Sequence, residues 1–395
     1  MITPESQAQR RAAGTELSSL MDALDYDFAR DVWCVFGLPI DNCDLSRAEA
    51  AVRDAVLRER HIVLSTPNVN WVVAARADPQ FRRTVIDSEL CTADGMPLVW
   101  AARLLGLPFT ERVGGSNLTE NLLDRATERP LSIFLFGGEE GVAARACERI
   151  NARGGGLKAV GCLNPGHGSA EAMSRADTIA TINATAPDIL LVAVGARKGQ
   201  AWIERNRHQL NARVISNLGA TVNFLAGNVA RAPLWMQRSG LEWIWRIVQE
   251  PKLIGRYATD GGVLVWLVVT RLLPYWALLK SRRRRAEVDA PLAIETRKTA
   301  SNLRLTLCGT ATRRTAEPVI PALKQAVLAE GDIILDLAGV EFVDSAFIAL
   351  LMIVEKHVAM TGKELRIEGI SPYVKRLFRY NCAEFLLVKQ KRHSV

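Results

Sequence analysis

Apolar positions along the chain follow two rhythms. From residue 31 to about 220, short continuous apolar runs alternate with stretches whose apolar residues recur every three or four positions. The runs Val32–Phe36, Ile62–Ser65, Leu90–Thr92, Ser132–Phe136, Leu157–Cys162, Ile189–Val194 and Arg213–Ser216 predict strands. The stretches Ser46–Arg60, Val69–Ala77, Met96–Leu105, Ser116–Thr127, Gly141–Ala152, Ala170–Ala184 and Gln200–Leu210 predict helices. Strand–helix alternation predicts an α/β domain over 31–234 with a largely parallel, Rossmann-like sheet. Ligands of such sheets bind in the loops that follow the strands' carboxyl ends. A second, shorter alternation starts after residue 300. Leu303–Leu307 and Asp332–Leu337 predict strands, Pro318–Ala329 and Ser345–Met360 helices, and Leu365–Ile367, Tyr373–Tyr380 and Phe385–Val388 complete a small α/β domain over 301–395.

Between the two, the rhythm breaks. Residues 235–285 hold ten Lys or Arg against three acids, and five of the nine Trp. The whole chain carries a net charge of +8, so this segment supplies nearly all of the excess. The run Gly261–Val269 sets aliphatics and Trp266 among these cations, a composition that suits a bilayer interface better than nucleic-acid bases. Gly261–Leu279 is interrupted by Arg271 and Pro274, and its clean run of about 10 residues is too short to span a bilayer. An interfacial or re-entrant segment is expected, with Arg282–Arg285 against anionic headgroups; the alternative is a helix packed on the protein's own core. The polar stretch 286–300 reads as a linker, and residues 1–30 as a loosely ordered lead-in without the pattern of a signal peptide. The seven cysteines form no C-x-x-C pair and read as buried thiols of a reducing cytosol.

Four loops after predicted strands carry candidate chemistry, each with a plainer alternative. Thr66-Pro67-Asn68 offers a hydroxyl and an amide to a ligand, or a helix cap at Asn68. Ala93-Asp94-Gly95 places Asp94 as a general base, or as an N-cap. Gly137-Gly138 opens a diphosphate cradle, or a tight turn. His167, in Asn164-Pro-Gly-His-Gly, contacts a ligand or is a solvated loop residue. H-E-x-x-H, G-x-S-x-G and Walker A patterns are absent. The only D-x-D, Asp25-Tyr26-Asp27, falls in the lead-in and reads as solvated charge, so no metal-bound diphosphate is indicated.

Taken in order, Thr66-Pro-Asn68, Ala93-Asp94-Gly95, Glu111-Arg112-Val113, Phe134–Gly138 and Ala232-Pro-Leu-Trp-Met-Gln-Arg-Ser-Gly-Leu-Glu242-Trp243 with Glu250-Pro251 resemble the WecG/TagA/CpsF glycosyltransferases over roughly 33–258. The resemblance implies an inverting, metal-independent transfer of a sugar, of N-acetylmannosamine or glucose type, from a UDP-sugar donor to a polyprenyl-diphosphate-linked acceptor in surface polysaccharide synthesis, with no cofactor. It makes Asp94 the base, with Thr66 beside it. It makes Asn68, Gly95, Arg112, Gly137, Gly138, Lys198, Arg246 and Arg256 substrate-binding residues. A carboxylate takes the acceptor's proton, and cationic side chains offset charge building on UDP.

Four positions depart from the family pattern. Gly195-Ala-Arg-Lys198-Gly199-Gln-Ala-Trp202 lacks a Pro and an in-register Gln-Glu pair, Asn117 and Asn223 stand where the family has Asp, and Leu253 replaces a third appendage cation, with the adjacent Lys252 as its substitute. These favour altered substrate choice. The rival reading is a catalytically weakened scaffold whose second domain recruits partners. That domain, through Ile333–Leu351, resembles STAS domains; Asp344-Ser345 matches their central motif, and Ser345 is either a phosphate acceptor or a plain helix cap. The expected partners are the donor, the lipid-linked acceptor, an anionic membrane surface and a protein bound through the STAS domain, with no nucleic acid. The expected location is peripheral, on the cytoplasmic face of the cell membrane.

Overall fold

A computed structural model describes residues 20–284, 289–299 and 301–388. The chain divides into two compact units, Val35–Lys280 and a second made from both ends, Met1–Cys34 with Ser281–Val395. A two-stranded ribbon, β1 (Val32–Val35) and β2 (Leu38–Asp41), turns through Phe36 and Gly37 at positive φ.

In the larger unit, β3 (Ile62–Ser65), β4 (Leu90–Cys91), β5 (Leu131–Gly137), β6 (Leu157–Leu163), β7 (Ile189–Ala193) and β8 (Val214–Asn217) form one sheet in the order β4-β3-β8-β7-β5-β6. Every pairing is parallel. The alternation within β5 explains the continuous apolar runs. Ile133 and Leu135 join one core with Leu64 and Leu191, whereas Phe134 and Phe136 join the other with Leu190, Val192 and Trp202. A strand covered on both faces has no polar positions to offer. The Phe136 and Trp202 rings stack at 4.3 Å. Since all six strands run one way, the loops after them share one edge.

Between residues 31 and 230, two helices escape the periodicity, Pro79–Ile86 and Gly219–Leu225. The first follows Asp78, whose side chain accepts from the Gln80 and Phe81 amides, with Pro79 opening the helix. Cysteine burial is less complete than expected: Cys162 and Cys308 are exposed.

Residues 251–284 correct a second expectation. Pro251–Arg284 is one 34-residue helix, and among the described residues it is the one long and apolar enough to cross a membrane. Arg271 and Pro274 do not break it. Proline lacks an N–H and its ring collides with the carbonyl four residues back. Here a π-helical turn, Val268–Leu272, immediately precedes the segment containing Pro274 and absorbs the misfit.

The smaller unit has a four-stranded sheet of β9 (Ala293–Lys298), β10 (Asn302–Ala311), β11 (Asp332–Val343) and β12 (Leu365–Glu368), ordered β12-β11-β10-β9. β9 pairs antiparallel to β10, and the other pairs are parallel. Helices Ile320–Leu328, Ser345–Met360 and Pro372–Tyr380 accompany it. Much of the expected linker is therefore strand β9. The lead-in is also corrected: residues 20–29 are helical, and Leu24, Asp27 and Phe28 are buried. Asp27 is no solvated charge. Its carboxylate meets Lys356 Nζ at 2.9 Å, His357 Nε2 at 2.8 Å and the Arg30 guanidinium at 2.8 Å. Residues 1–19 lie outside the described residues.

Candidate active site

Three motifs far apart in sequence are tied together by backbone hydrogen bonds at the carboxyl edge of β3 and β4. The Thr92 amide donates to Ser65 O at 2.9 Å, and the Asp94 amide to Pro67 O at 2.8 Å. Val113 N donates to Ala93 O at 2.9 Å, while Thr92 Oγ1 donates to Val113 O at 2.8 Å. Thr66-Pro67-Asn68, Ala93-Asp94-Gly95 and Glu111-Arg112-Val113 thus form one wall. Two glycines make it possible. Gly95 has φ +138°, a conformation that side chains rarely adopt. At Gly114 a Cβ would stand 2.5 Å from Asp94 Oδ1.

The alternative reading of Asp94 as a helix cap does not hold. Gly95 is the N-cap of helix Met96–Leu104, and no side chain caps it. Asn68, by contrast, does cap helix Val69–Ala77: its Oδ1 accepts from Trp71 N at 3.3 Å. Thr66 is buried beside it.

Three guanidiniums surround Asp94, and each is already held by a glutamate. Arg112 Nη1 lies 2.6 Å from Glu242 Oε2 but 3.6 Å from Asp94 Oδ1. Its Nη2 donates to Asn117 Oδ1 at 2.7 Å. Arg246 pairs with Glu250 at 3.0 Å and stands over the Phe224 ring. Arg231 pairs with Glu120. Burial raises the Asp94 carboxyl above its ordinary range; Arg112, Arg246 and Arg231 pull it down, and Glu242 pushes it up. The outcome is a raised value, because burial outweighs the three cations. The Nε groups of Arg231 and Arg246 are buried and have no hydrogen-bond partner among the described residues.

Other candidates fall elsewhere. Arg256 is exposed on helix Ile254–Leu267, 5.2 Å from the Tyr257 ring, and makes no ion pair with the Asp94 group among the described residues. Lys198 is exposed, with Nζ 3.3 Å from Gly168 O. Gly137 is a packing glycine: a Cβ there would meet Val194 and Ala193 within 3 Å. Gly138 donates its amide to Ala193 O at 2.9 Å, so that N–H is not available to a diphosphate. His167 is exposed in its loop. Glu111 holds the chain rather than a ligand; its Oε1 accepts from Leu45 N at 2.6 Å.

Two departures from the expected pattern are built into the fold. Asn117 keeps a hydrogen bond to Arg112 as a neutral acceptor. Gly199 admits Asn217, since a Cβ there would stand 2.4 Å from Asn217 Nδ2. That amide in turn donates to Ala196 O at 2.9 Å. Among the described residues no group of three or more His, Cys, Asp or Glu is placed to hold a metal ion.

Sequence reasoning passed over Arg231 and Glu242. Glu242 belongs to the Gly-Leu-Glu-Trp element, where one acid in a segment of excess positive charge gives no signal of its own. In the smaller unit, the expectation of a Ser cap is corrected. Asp344 is the N-cap of helix Ser345–Met360, accepting from Phe347 N at 2.8 Å, and Ser345 is buried beside it. Arg282 also differs from expectation: it pairs with Asp289 at 2.9 Å and lies 4.1 Å from the Phe342 ring, while Arg285 lies outside the described residues.

The description "Glycosyl transferase WecG/TagA/CpsF family" matches residues 33–277, and "Mlab, STAS domain" matches 294–384. A Bacillus spizizenii protein named N-acetylglucosaminyldiphosphoundecaprenol N-acetyl-beta-D-mannosaminyltransferase is 27% identical over 190 residues, 48% of this chain and 71% of its own. A Bacillus subtilis protein of the same name is 28% identical over 189 residues, 48% of this chain and 72% of its own. Among solved structures, the phosphorylated form of the Bacillus cell fate determinant SpoIIAA covers 25% of this chain and 92% of its own, at 16% identity and a TM-score of 0.22, too slight a likeness to bear on fold. The chain carries a C-terminal STAS domain, and it belongs to the WecG/TagA/CpsF family of glycosyltransferases.

Proposed function

We propose that the chain transfers a hexosamine or hexose from a UDP-sugar to a polyprenyl-diphosphate-linked saccharide, with inversion and without a metal. The observation that carries the reading is Asp94. It is a partly exposed carboxylate with a raised pKa, at the carboxyl edge of a parallel sheet, with Arg112 at 3.6 Å and Arg231 and Arg246 as further cations acting on it. A carboxylate of raised pKa is a better base for an acceptor hydroxyl. Thr66 and Asn68 line the same wall. As the donor's glycosidic bond breaks, negative charge grows on the leaving diphosphate. The buried Nε donors of Arg231 and Arg246 are preorganised to meet it, without the reorganisation that water would need. The names of the two Bacillus relatives make N-acetylmannosamine the first donor sugar to test, and N-acetylglucosaminyl-diphosphoundecaprenol the first acceptor.

Surface chemistry supports work at a membrane. Trp235, Trp243, Val248, Ile254, Val265, Trp266 and Val269 are all exposed. The long helix is anchored to the catalytic unit partway along: Asn70 Nδ2 donates to Asp260 Oδ2 at 3.1 Å, and Arg76 sits 4.9 Å from the Trp266 ring. From Val268 to Leu279 a dozen residues remain before the basic end, about 18 Å of helix. That is short of the ~20 residues a span requires. We therefore place the helix along the cytoplasmic surface, not across it. A protein partner for the STAS domain belongs to the same proposal, with a docking rather than a phosphorelay role for the Ser345 region.

The test is UDP release from UDP-N-acetylmannosamine, UDP-N-acetylglucosamine and UDP-glucose, with a short-chain polyprenyl-diphosphate N-acetylglucosamine acceptor, in the presence and absence of EDTA. Acceptor-dependent release from one donor, unchanged by EDTA, is expected. If no donor gives acceptor-dependent release, the substrate assignment is wrong. If chelation abolishes release and magnesium restores it, a metal carries the charge here assigned to arginine.

A further inference from the structure

Arg112 stands between two carboxylates. Its Nη1 is a full ångström closer to Glu242 than to Asp94, at 2.6 Å against 3.6 Å. Its other terminal nitrogen is fixed by Asn117 at 2.7 Å. The guanidinium is 13% exposed and Glu242 18%, so water screens the contact little. Glu242 opens helix Glu242–Gln249, the same helix that brings Arg246 to the site. The appendage thus supplies an anion as well as a cation.

We infer that Glu242 is a positioning residue for the transfer reaction: it takes the shorter contact with Arg112, so that the guanidinium meets the Asp94 base only at 3.6 Å and faces the donor's diphosphate instead of closing onto the base. This rests on the reading of Asp94 as the base.

The physical requirement is plain. A general base locked in an ion pair is a poor base, because the pair must break before a proton is accepted. An opposite charge within about 4–6 Å lowers a carboxyl pKa by roughly 1–3 units. Arg112 is the cation nearest to Asp94, and without a competing carboxylate its fork would close onto it. The charged groups facing Asp94 come from three directions. Arg112 comes from the loop before helix Gly115–Asp124, Arg231 from the loop before helix Leu234–Arg238, and Glu242 and Arg246 from helix Glu242–Gln249. Arg231 is tied to Glu120 and Arg246 to Glu250. Arg112 alone is shared with the base, and Glu242 decides how it is shared. Asn117 strengthens this division: an Asp there would be a third carboxylate on Arg112, whereas the amide fixes Nη2 without adding charge.

The experiment follows the Asp94 carboxyl directly, by 13C NMR titration of the full-length chain labelled with carboxyl-13C aspartate; the resonance is assigned by its loss in Asp94→Asn. In Glu242→Gln the Asp94 midpoint is expected to fall by about one pH unit or more relative to wild type. The acid limb of kcat/KM for UDP release should move the same way, with kcat at neutral pH about tenfold lower, and Glu242→Asp should restore both. An unmoved midpoint overturns the inference, and a fall in activity at every pH with the limb in place then marks Glu242 as an anchor for its helix only. Should Glu242→Gln not fold, Asn117→Asp decides: a third carboxylate on Arg112 should raise the Asp94 midpoint, and an unchanged or lowered one overturns the inference. The titration needs no substrate. A wild-type protein that releases no UDP while Asp94 shifts as stated therefore refutes the proposed reaction, and leaves standing only that Glu242 controls the Asp94 carboxyl through Arg112.

Discussion

Asp94 is held in a state that the fold does not favour. Its carboxyl has a raised pKa, chiefly from burial, which means that the folded protein binds that proton more tightly than the unfolded chain does. For an acid with a raised pKa, folding stability falls as pH rises from the unfolded value through the folded one, and the loss persists at higher pH. The charge that serves catalysis is thus a stability cost at neutral pH. Asp94→Asn removes it, and no cap is lost because Gly95 holds that position without a side-chain bond. The expected outcome is a turnover lower by about 10²–10⁴-fold, with a Tm at pH 8 equal to or above wild type. The Tm difference should vanish below about pH 4, where both states are protonated. Scanning calorimetry beside UDP release measures both; a clear drop in Tm at pH 8 would mean that Asp94 supports the fold and was misread as a base. How far such a site is legible in sequence follows from its chemistry. Thr66 and Asp94 sit in loops after strands, where position alone suggests a role, and Arg112 lies in the loop between two helices that packs against them. Arg231 and Glu242 take their meaning from which charge each one faces, and no spacing rule in the chain encodes that.

Secondary structure was most legible where burial is two-sided. β3 matches its apolar run residue for residue, β6 and β7 differ from theirs by one residue at one end, and β5 and β8 by one residue at each end. Strand β9 was missed because it lies at the edge of its sheet and most of it is exposed, so Ala293–Lys298 reads as polar linker. The helix Pro251–Arg284 was misjudged for the opposite reason: Arg271 and Pro274 look like interruptions, and the π turn that tolerates them has no sequence signature. Its exposed apolar residues now give the membrane reading a sharper test than its charge does. Val265 and Val269 are one helical turn apart and 63% and 57% exposed, so they form one face. Burying a valine is worth about 1.5 kcal/mol or more. Replacing both by Ser should weaken binding to anionic vesicles by tenfold or more, while turnover on a short soluble acceptor stays as in wild type. Vesicle co-sedimentation reads the first and UDP release the second. Unchanged sedimentation would leave these residues without a lipid role.

At the level of the whole chain, the smaller unit is closed by residues from the opposite end. The STAS match begins at residue 294, yet the buried carboxylate between Lys356 and His357 is Asp27, on a helix that precedes the catalytic unit. Burial alone would raise the Asp27 pKa. Lys356, then His357 and Arg30, outweigh that and hold it far below the ordinary carboxylate range. The sign is therefore opposite to that of Asp94: the pairing contributes stability above the unfolded value near 4, and that contribution is lost as pH falls below it. Leu24 and Phe28, buried on the same helix, add apolar area to the contact. Removing one partner of a buried ion pair costs about 3–5 kcal/mol, a large part of the ~5–15 kcal/mol that holds a domain folded. Asp27→Asn should thus lower the urea midpoint of the smaller unit sharply at pH 7 and progressively less below pH 4. The larger unit contains none of these residues, so its unfolding transition and UDP release on a soluble acceptor should stay in place. Two transitions followed by far-UV circular dichroism, one shifted and one not, would identify the N-terminal helix as a structural member of the STAS unit. A fall in both would mean that the units unfold as one, and no fall in either would mean that the buried triad contributes nothing net. The same accounting predicts that a fragment cut at the STAS match, without residues 20–34, is marginally stable, and that supplying those residues in trans raises its midpoint.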